Sequence, residues 1–523
     1  MSLLPFVLVT ALLATPSTPS ATATAAPSAT AAPSATVAPA AERMTFTEVL
    51  RLSVKMNRDL KRAGLDLATV AQDVRAAKGL YDTQLGAGLS YRRSTSEPVE
   101  GVNIQQLKSQ VLEYSLSASQ KLPTGGTISL GLATGYTNSL SRFDFAGSQF
   151  DNDSTTWDTA LTLTVTHPLL KGIGLDVNLA AVRQAKLARD ALRWSVRGKA
   201  RAVVRDLLKA YLDVVDAQAA VRVQGEAVVQ ARRDLKRVEA LIDAGRMAPT
   251  ELVDYQIVVA QQQRVLLEAE TNWMQRSLVL RSKMGLRIKP GLLLVSAELP
   301  PDPFRAGVPT PRQAAQATLK SSQELRAALK ELKIKRISIV TTGRDTWPKL
   351  DLSASVGPQG RGNTFGSAHE TLFKFKSLGW SVGLTFSYLV GNRAAKAAHS
   401  KARIELRRKE VDLDELRQTL VAEATSTVAL LRLEQRLART AGLEERLATL
   451  RLANERKKYD AGRSSAYVLL QIQNDLTKAR HKAYSARISV FKRRVELATL
   501  MGDLLARWGL KLTRSAELRV SAR

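Results

Sequence analysis

The side chains able to do acid–base, nucleophilic or metal chemistry are sparse in this sequence, and they do not converge. There are four histidines, His167, His369, His399 and His481, and no cysteine. No histidine stands in an HxH or HExxH spacing, or at an interval from a carboxylate that would aim two ligands at one metal. The patterns GxSxG and GxxxxGK[ST], which would mark a nucleophile elbow or a phosphate loop, do not occur. Residues 357–362 are glycine-rich, but they lie between strand-like segments. A phosphate cradle needs its glycines just ahead of a helix. The lack of cysteine removes disulfides, thiolate catalysis and a lipid-modified N-terminal cysteine. No catalytic, cofactor-binding or metal site is expected.

The remaining candidates act through shape and charge, and they sit at helix ends. Ala244, Gly245, Arg246 and Met247 form a phrase that returns as Ala461, Gly462, Arg463 and Ser464. Met284 follows Gly245 by 39 residues and Met501 follows Gly462 by the same 39, each with a glycine behind it. Upstream of each phrase runs a long helical stretch, 178–243 and 392–460. Before that comes a strand-rich block, about 84–167 and 348–388, and before that a helix, near 45–80 and 311–340. A returning helix follows each phrase, 249–284 and 465–501. The chain therefore reads as two repeats, 44–290 and 311–505, joined by a linker (291–310) and followed by a tail (506–523). Gly245 and Gly462 stand where a helix C-terminus favours a left-handed residue. Pro249 suits the first turn of one returning helix, and Ser464 or Ser465 can cap the other. Asp243, Glu251, Asp254 and Asp460 flank the turns and are the carboxylates that could line a narrow aperture.

The first long stretch carries a heptad. Leu207, Val214, Val221, Val228, Leu235 and Ile242 recur every seven residues. Val196, Val203, Ala210, Ala217, Ala231 and Val238 make a second seam, interrupted by Gln224. Such a repeat winds a helix around its neighbours with a left-handed twist. Leu406, Leu413 and Leu420 begin a similar seam in the second half, which then shifts phase. Either helix would reach about 100 Å.

The strand-rich blocks alternate large apolar residues with small ones. In Leu378, Trp380, Val382, Leu384, Phe386 and Tyr388 every second residue is large, and between them stand only Gly, Ser and Thr. Leu112, Tyr114 and Leu116, then Ile128, Leu130 and Leu132, then Trp157, Leu161, Leu163 and Val165 repeat the pattern. A soluble sheet also alternates, but its polar face usually carries charge. The small uncharged face and the aromatic ends favour a transmembrane barrel. Residues 94–110, 138–156 and 357–376 read as long polar loops, and 122–126 as a tight turn. One chain then supplies six strands, four from the first half and two from the second, too few to close a pore alone.

Lys+Arg 77 against Asp+Glu 48 gives a net charge of +29. The basic residues are interleaved with acidic ones along the helices, as in residues 232–239, with no aromatic interleaving that would stack bases. A solvated helical surface is expected rather than a nucleic-acid site. Residues 3–14 form an apolar run of secretory length, although no Lys or Arg precedes them. With the residues behind them they read as a signal peptide (1–22), followed by a disordered leader rich in Ala, Pro, Ser and Thr (23–43). Beyond the leader no window of about 18 apolar residues occurs. An exported protein without a transmembrane helix belongs in the periplasm or in an outer-membrane barrel.

Several phrases resemble the TolC-type outer-membrane efflux family. Residues 44–53, followed by Asn57, are similar to that family's first helix. Pro168, Gly172 and Asn178 resemble its strand-to-helix crossing, with His167 in place of the more usual Gln. Gly391 and Asn392 resemble the second crossing, with Tyr388 where Pro is usual. The two Ala-Gly-Arg turns resemble the family's periplasmic tips. The resemblance covers about 44–505 and implies an α+β membrane protein with two tandem structural repeats per chain. In a homotrimer, long antiparallel coiled-coil helices would form an α-barrel continuous with a transmembrane β-barrel set in outer-membrane lipid. It further implies a passive exit duct, for efflux or type I secretion, that an inner-membrane pump feeds through a periplasmic adaptor (membrane fusion) protein docked on the tips. Two features depart from the family. It normally has four strands per chain, so either the barrel has eighteen strands or the hairpin at about 111–137 lies outside it. Tyr467 and Leu470 stand where some members place acidic gate residues. The rival reading is an exported coiled-coil structural or adaptor protein without a channel. It leaves unexplained why strands occur at the same point of each half.

Overall fold

Both halves of the chain run through the same order of elements in the computed structural model. The first half contains β1 (Glu42–Met44), α1 (Phe46–Met56), α2 (Arg58–Lys78), β2 (Gln84–Thr95), β3 (Ile104–Lys121), β4 (Thr127–Phe145), β5 (Ser148–Pro168), α3 (Leu175–Asn178), α4 (Ala180–Asp243) and α5 (Glu251–Met284). The second contains β6 (Val295–Ala297), α6 (Pro311–Ser321), α7 (Gln323–Asp345), β7 (Lys349–Gly362), α8 (Phe365–Phe373), β8 (Ser377–Ser387), α9 (Arg393–Asp460) and α10 (Ala466–Met501). α11 (Leu504–Arg507), β9 (Leu510–Leu512) and β10 (Leu518–Val520) follow. The structure describes residues 42–98, 104–145, 148–287, 294–300, 307–512 and 518–520. The expected signal peptide, the leader up to residue 41, and parts of the linker and tail lie outside the described residues.

The repeat extends to individual caps. Thr45 and Thr310 open α1 and α6 with capping boxes, closed by Glu48 and Gln313. Each helix breaks after 11 residues, at Asn57 and Ser322, where ψ swings to 122° and 123°. The side chain at each break then caps the next helix by accepting from the Leu60 or Leu325 N–H. Both breaks dock on the end of a returning helix. Asn57 Nδ2 donates to the Lys283 carbonyl at 2.9 Å, and Ser321 Oγ donates to the Leu500 carbonyl at 2.9 Å. The glycines behind Met284 and Met501 are left-handed, with φ +78° and +87°.

α4 and α9, of 64 and 68 residues, each extend about 100 Å at 1.5 Å per residue. The expected seams of α4 face the interior: Leu207, Val214 and Val228 are buried and Val221, Leu235 and Ile242 half-buried in one, and Val196, Ala210, Ala217, Ala231 and Val238 are buried in the other. The interruption at Gln224 has a partner, since its buried amide donates to the Gln262 side chain on α5 and pins the register of that hairpin. The phase shift in α9 follows a change of neighbour. Ala424, Val428 and Leu431 pack with Ala314 of α6 and with Val490 and Leu497 of α10.

Where both repeats meet, Leu207, Leu208, Leu212 and Val214 pack against Phe46, Val49, Leu50, Leu280, Met284, Phe491 and Val495. The expected tail contributes here as well. Leu510 is buried beside Leu504 and Leu505 of the second repeat, and the Trp508 ring meets Phe46 edge-on at 4.4 Å. β1, which begins inside the expected leader, pairs in parallel with β6. Tyr211 fastens that pair to α4. Its hydroxyl accepts from the Glu298 N–H at 3.1 Å and donates to the Glu298 carbonyl at 2.8 Å, with the Met44 carbonyl 3.1 Å away. Burial pushes this phenol up to about 12 from 10.0. Because burial penalises the phenolate, folding stability is unaffected by this group below pH 10 and falls as pH rises from 10 through 12, by up to about 2–3 kcal/mol. Tyr211→Phe is expected to cost about 1–3 kcal/mol near neutral pH, and its deficit relative to the parent should shrink between pH 10 and 12 in thermal melts.

The six long strands form one sheet in the order β2-β3-β4-β5-β7-β8, with every neighbouring pair antiparallel. The hairpin of β3 and β4 therefore lies within this sheet rather than apart from it. The loops expected at 94–110, 138–156 and 357–376 are much shorter. β4 and β5 run on to Phe145 and Ser148 because their polar residues pair across the ladder: Asn138 with Asp153 (2.8 Å), Ser139 with Ser154 (2.9 Å) and Arg142 with Asp151 (2.7 Å). Between β7 and β8 the chain forms α8, which the sequence reading missed.

Candidate functional site: two helical tips and a two-faced sheet

The turns at the ends of the long helices are alike in detail. Gly245 and Gly462 hold φ +70° and +72°. The Gly245 N–H donates to the Ile242 carbonyl and the Arg246 N–H to Leu241; the Gly462 N–H donates to Tyr459 and the Arg463 N–H to Lys458. This nested pair of bonds satisfies carbonyls that a helix end leaves open, and it requires the left-handed residue between them. Ala244, Gly245, Arg246, Ala461, Gly462 and Arg463 are exposed; Met247 and Ser464 are half-buried. Of the two candidate caps, Ser465 accepts from the Val468 N–H, while Ser464 donates to Glu455 at 2.6 Å. That bond, with Lys458 beside it, holds the Glu455 carboxyl below the usual range. Pro249 lies ahead of α5, which starts at Glu251.

The structure brings the two tips together. Tyr255, buried against Val238 and Leu470, places its hydroxyl 3.3 Å from that of Tyr459. Burial and this neighbour push the Tyr255 phenol far up. Gln473 reaches Asp234 at 3.1 Å, and Arg237 pairs with Asp460 at 3.2 Å. Among the aperture candidates, Asp460 is thus engaged, Asp243 and Asp254 are exposed, and Glu251 is half-buried. Tyr467 is exposed and Leu470 is buried. Sequence gave no signal for the tyrosine contact, which joins residues far apart in the chain.

The crossings from strand to helix depend on backbone that only special residues supply. Gly172 and Gly174 have φ +88° and +101°, and Asn178 Nδ2 donates to both carbonyls, at 2.7 and 3.0 Å. Pro168 ends β5 beside them, and Gly125 of the tight turn fits under this knot. In the second half Gly391 (φ +84°) and Asn392 (φ +40°) turn the chain, and Asn392 Nδ2 donates to the Thr346 carbonyl at 3.1 Å.

The pairing register puts large side chains on one face of the sheet and small ones on the other. Leu85, Leu89, Leu116, Leu130, Leu163, Trp380, Val382, Leu384 and Phe386 share the apolar face and are exposed in the single chain. The other face carries Ser, Thr and Gly and borders a trough of about 960 Å³, lined by Ser90, Glu113, Ser115, Asp158 and Arg361 among others. The apolar band spans about eight residues on β4, β5 and β8, roughly 20 Å in height at the usual tilt of barrel strands. No helix among the described residues is long and apolar enough to cross a membrane. The described residues hold no cluster of three or more His, Asp or Glu suited to a metal. His369 lies 3.5 Å from the Tyr114 hydroxyl and His399 3.3 Å from that of Thr342.

Solved outer-membrane channels share this fold. The chain is similar to CusC, at 15% identity and a TM-score of 0.62 over 87% of this chain and 92% of that one. The Campylobacter jejuni CmeC outer membrane channel matches at 14% identity and 0.62, over 88% and 86%. VceC of Vibrio cholerae, an outer membrane protein, matches at 13% and 0.60, over 87% and 96%. Comparison with curated proteins finds no match at the level of sequence. The sequence pattern of the outer membrane efflux proteins fits residues 49–286 and 314–503, one segment in each repeat. Two repeats, two tips and a two-faced sheet, matched over most of the chain, place this protein in the outer membrane efflux protein family.

Proposed function

We propose that three copies of this efflux-channel subunit close into one exit duct, a β-barrel in the outer membrane continued by an α-barrel in the periplasm. The observation that carries this reading is the pair of sheet edges. β2 and β8, of 12 and 11 residues, have no partner on their outer sides among the described residues of the single chain. An even number of alternating strands makes these edges antiparallel to each other, so β8 of one copy can continue into β2 of the next. Three copies give eighteen strands, a size that leaves an aqueous lumen. The helices support the same assembly. α9 leaves Leu437, Leu443, Leu447 and Leu450 exposed, and α5 leaves Val253, Ile257 and Leu267 exposed, so both hairpins keep apolar surface for neighbouring copies.

The duct is passive. A pump in the inner membrane supplies the energy, and a periplasmic adaptor docks on the exposed tip residues, with Asp243, Glu251 and Asp254 nearest the aperture. The test is extraction of the protein from host membranes followed by sizing. Release only by detergent, and a mass of three chains, is the expected result. A protein released by salt and sized as a monomer or dimer would remove the duct and favour an exported coiled-coil protein.

A further inference from the structure

The pairing of sheet edges that closes the duct does not involve the helix α8, which lies on one face of the sheet. On β4 and β5 the apolar face ends at the Tyr136 and Trp157 rings, which pack at a tilt with centroids 5.0 Å apart. One turn of the pleat farther from the helical end, the same face becomes polar, with Asn138 bonded to Asp153 and Arg142 to Asp151. α8 lies on that border, on the apolar side. Phe365 meets Trp157 edge-on at 5.4 Å and Tyr114 at 6.3 Å. Ala368 and Leu372 are buried against the strands. Gly360 makes the room, because a Cβ there would fall 2.1 Å from the Ala368 carbonyl.

The outward side of this segment is aromatic and basic. Phe365, Phe373 and Phe375 are 48%, 69% and 62% exposed, three of the chain's eleven phenylalanines. Lys374, whose ammonium pairs with Glu370, and Lys376 alternate with them. Phe375 holds φ +50°, a strained conformation for a bulky aromatic. The strip is continuous with the exposed Leu378 and Trp380 of β8. Water is a poor partner for such a surface. An aromatic belt with an amphipathic helix at its rim matches the boundary between acyl chains and headgroups.

We propose that α8 is an interfacial anchor lying in the plane of the outer leaflet. Phe365, Phe373 and Phe375 enter the lipid, and the Lys376 ammonium and the Lys374–Glu370 pair stay at the level of the headgroups. This rests on the apolar face of the sheet being its lipid face. Because the chain has no cysteine, a single Phe373→Cys variant can carry a spin label in the full-length protein, reconstituted into vesicles of phosphatidylcholine and phosphatidylglycerol. Trp380→Cys and Ser381→Cys report the two faces of the sheet. Accessibility to oxygen relative to a water-soluble nickel chelate should be several-fold higher at 373 and 380 than at 381. A label at 373 that matches 381 would put α8 in water, and one shielded from both reagents would put it under another protein surface; either result overturns the anchor. If the label at 380 also matches 381, the lipid-face reading has failed instead.

Discussion

Valine at both Gly245 and Gly462 is expected to abolish export while leaving the protein assembled in the outer membrane. Both glycines are left-handed, yet a Cβ at either would meet nothing within 4 Å. The substitutions therefore act through the backbone alone, at about 1–2 kcal/mol per site. That is too little to unfold two long hairpins with their own core. It is enough to undo the nested bonds that fix Arg246 and Arg463, next to the contacts of Tyr255 with Tyr459 and of Arg237 with Asp460 that join the two tips. The measurement is dye efflux from cells, set against the amount of protein in the outer membrane. Normal efflux from the double variant would show that the tips dock nothing.

Alanine at Gly285 or Gly502 is expected to do the reverse, destroying the fold rather than one function. These glycines are also left-handed, but they are crowded. A Cβ on Gly285 would sit 2.5 Å from the Met56 carbonyl oxygen, and one on Gly502 would sit 2.6 Å from Ser321 Cβ. Backbone strain and overpacking together predict a loss of about 2–5 kcal/mol at each site. Each break between short helices is clamped at this point, so the loss should appear as a lower melting temperature and a lower yield in the membrane. Unchanged melting of both variants would mean that the clamps are not what holds the repeats together. The two glycine pairs, spaced alike in sequence, thus differ in kind: one keeps an exposed turn in shape and the other admits a packed neighbour, the Met56 backbone at Gly285 and the Ser321 side chain at Gly502.

Much of this architecture was legible in the residues. Heptads, the 39-residue spacing and the alternation in the strands located the hairpins and six strands, because each pattern is local and repeats over many residues. Helix ends came within a few residues for the same reason. What escaped depends on contacts between distant segments. The polar residues at 138–156 resemble a loop until β4 and β5 are laid side by side and their Asn, Asp and Ser side chains find partners. The nine residues of α8 are too few to display a period, and they are held by Trp157 and Tyr114 of other strands. Trp508 looked like part of a tail because nothing near it in sequence reveals the Phe46 ring it covers. The tips were legible as turns, whereas their coupling through Tyr255 and Tyr459 was not.

The open edges at β2 and β8 also bear on inheritance. In hydrocarbon each unpaired backbone group costs several kcal/mol, so a subunit whose edge cannot pair spoils every ring it joins. An edge-blocking substitution, such as proline within β8, should therefore be dominant. If the ring has the three chains proposed above, and variant and normal chains are made in equal amounts and mix at random, only about one ring in eight is free of the variant. Cells carrying both copies would then export almost as poorly as cells with no duct, whereas cells with one copy simply deleted would not.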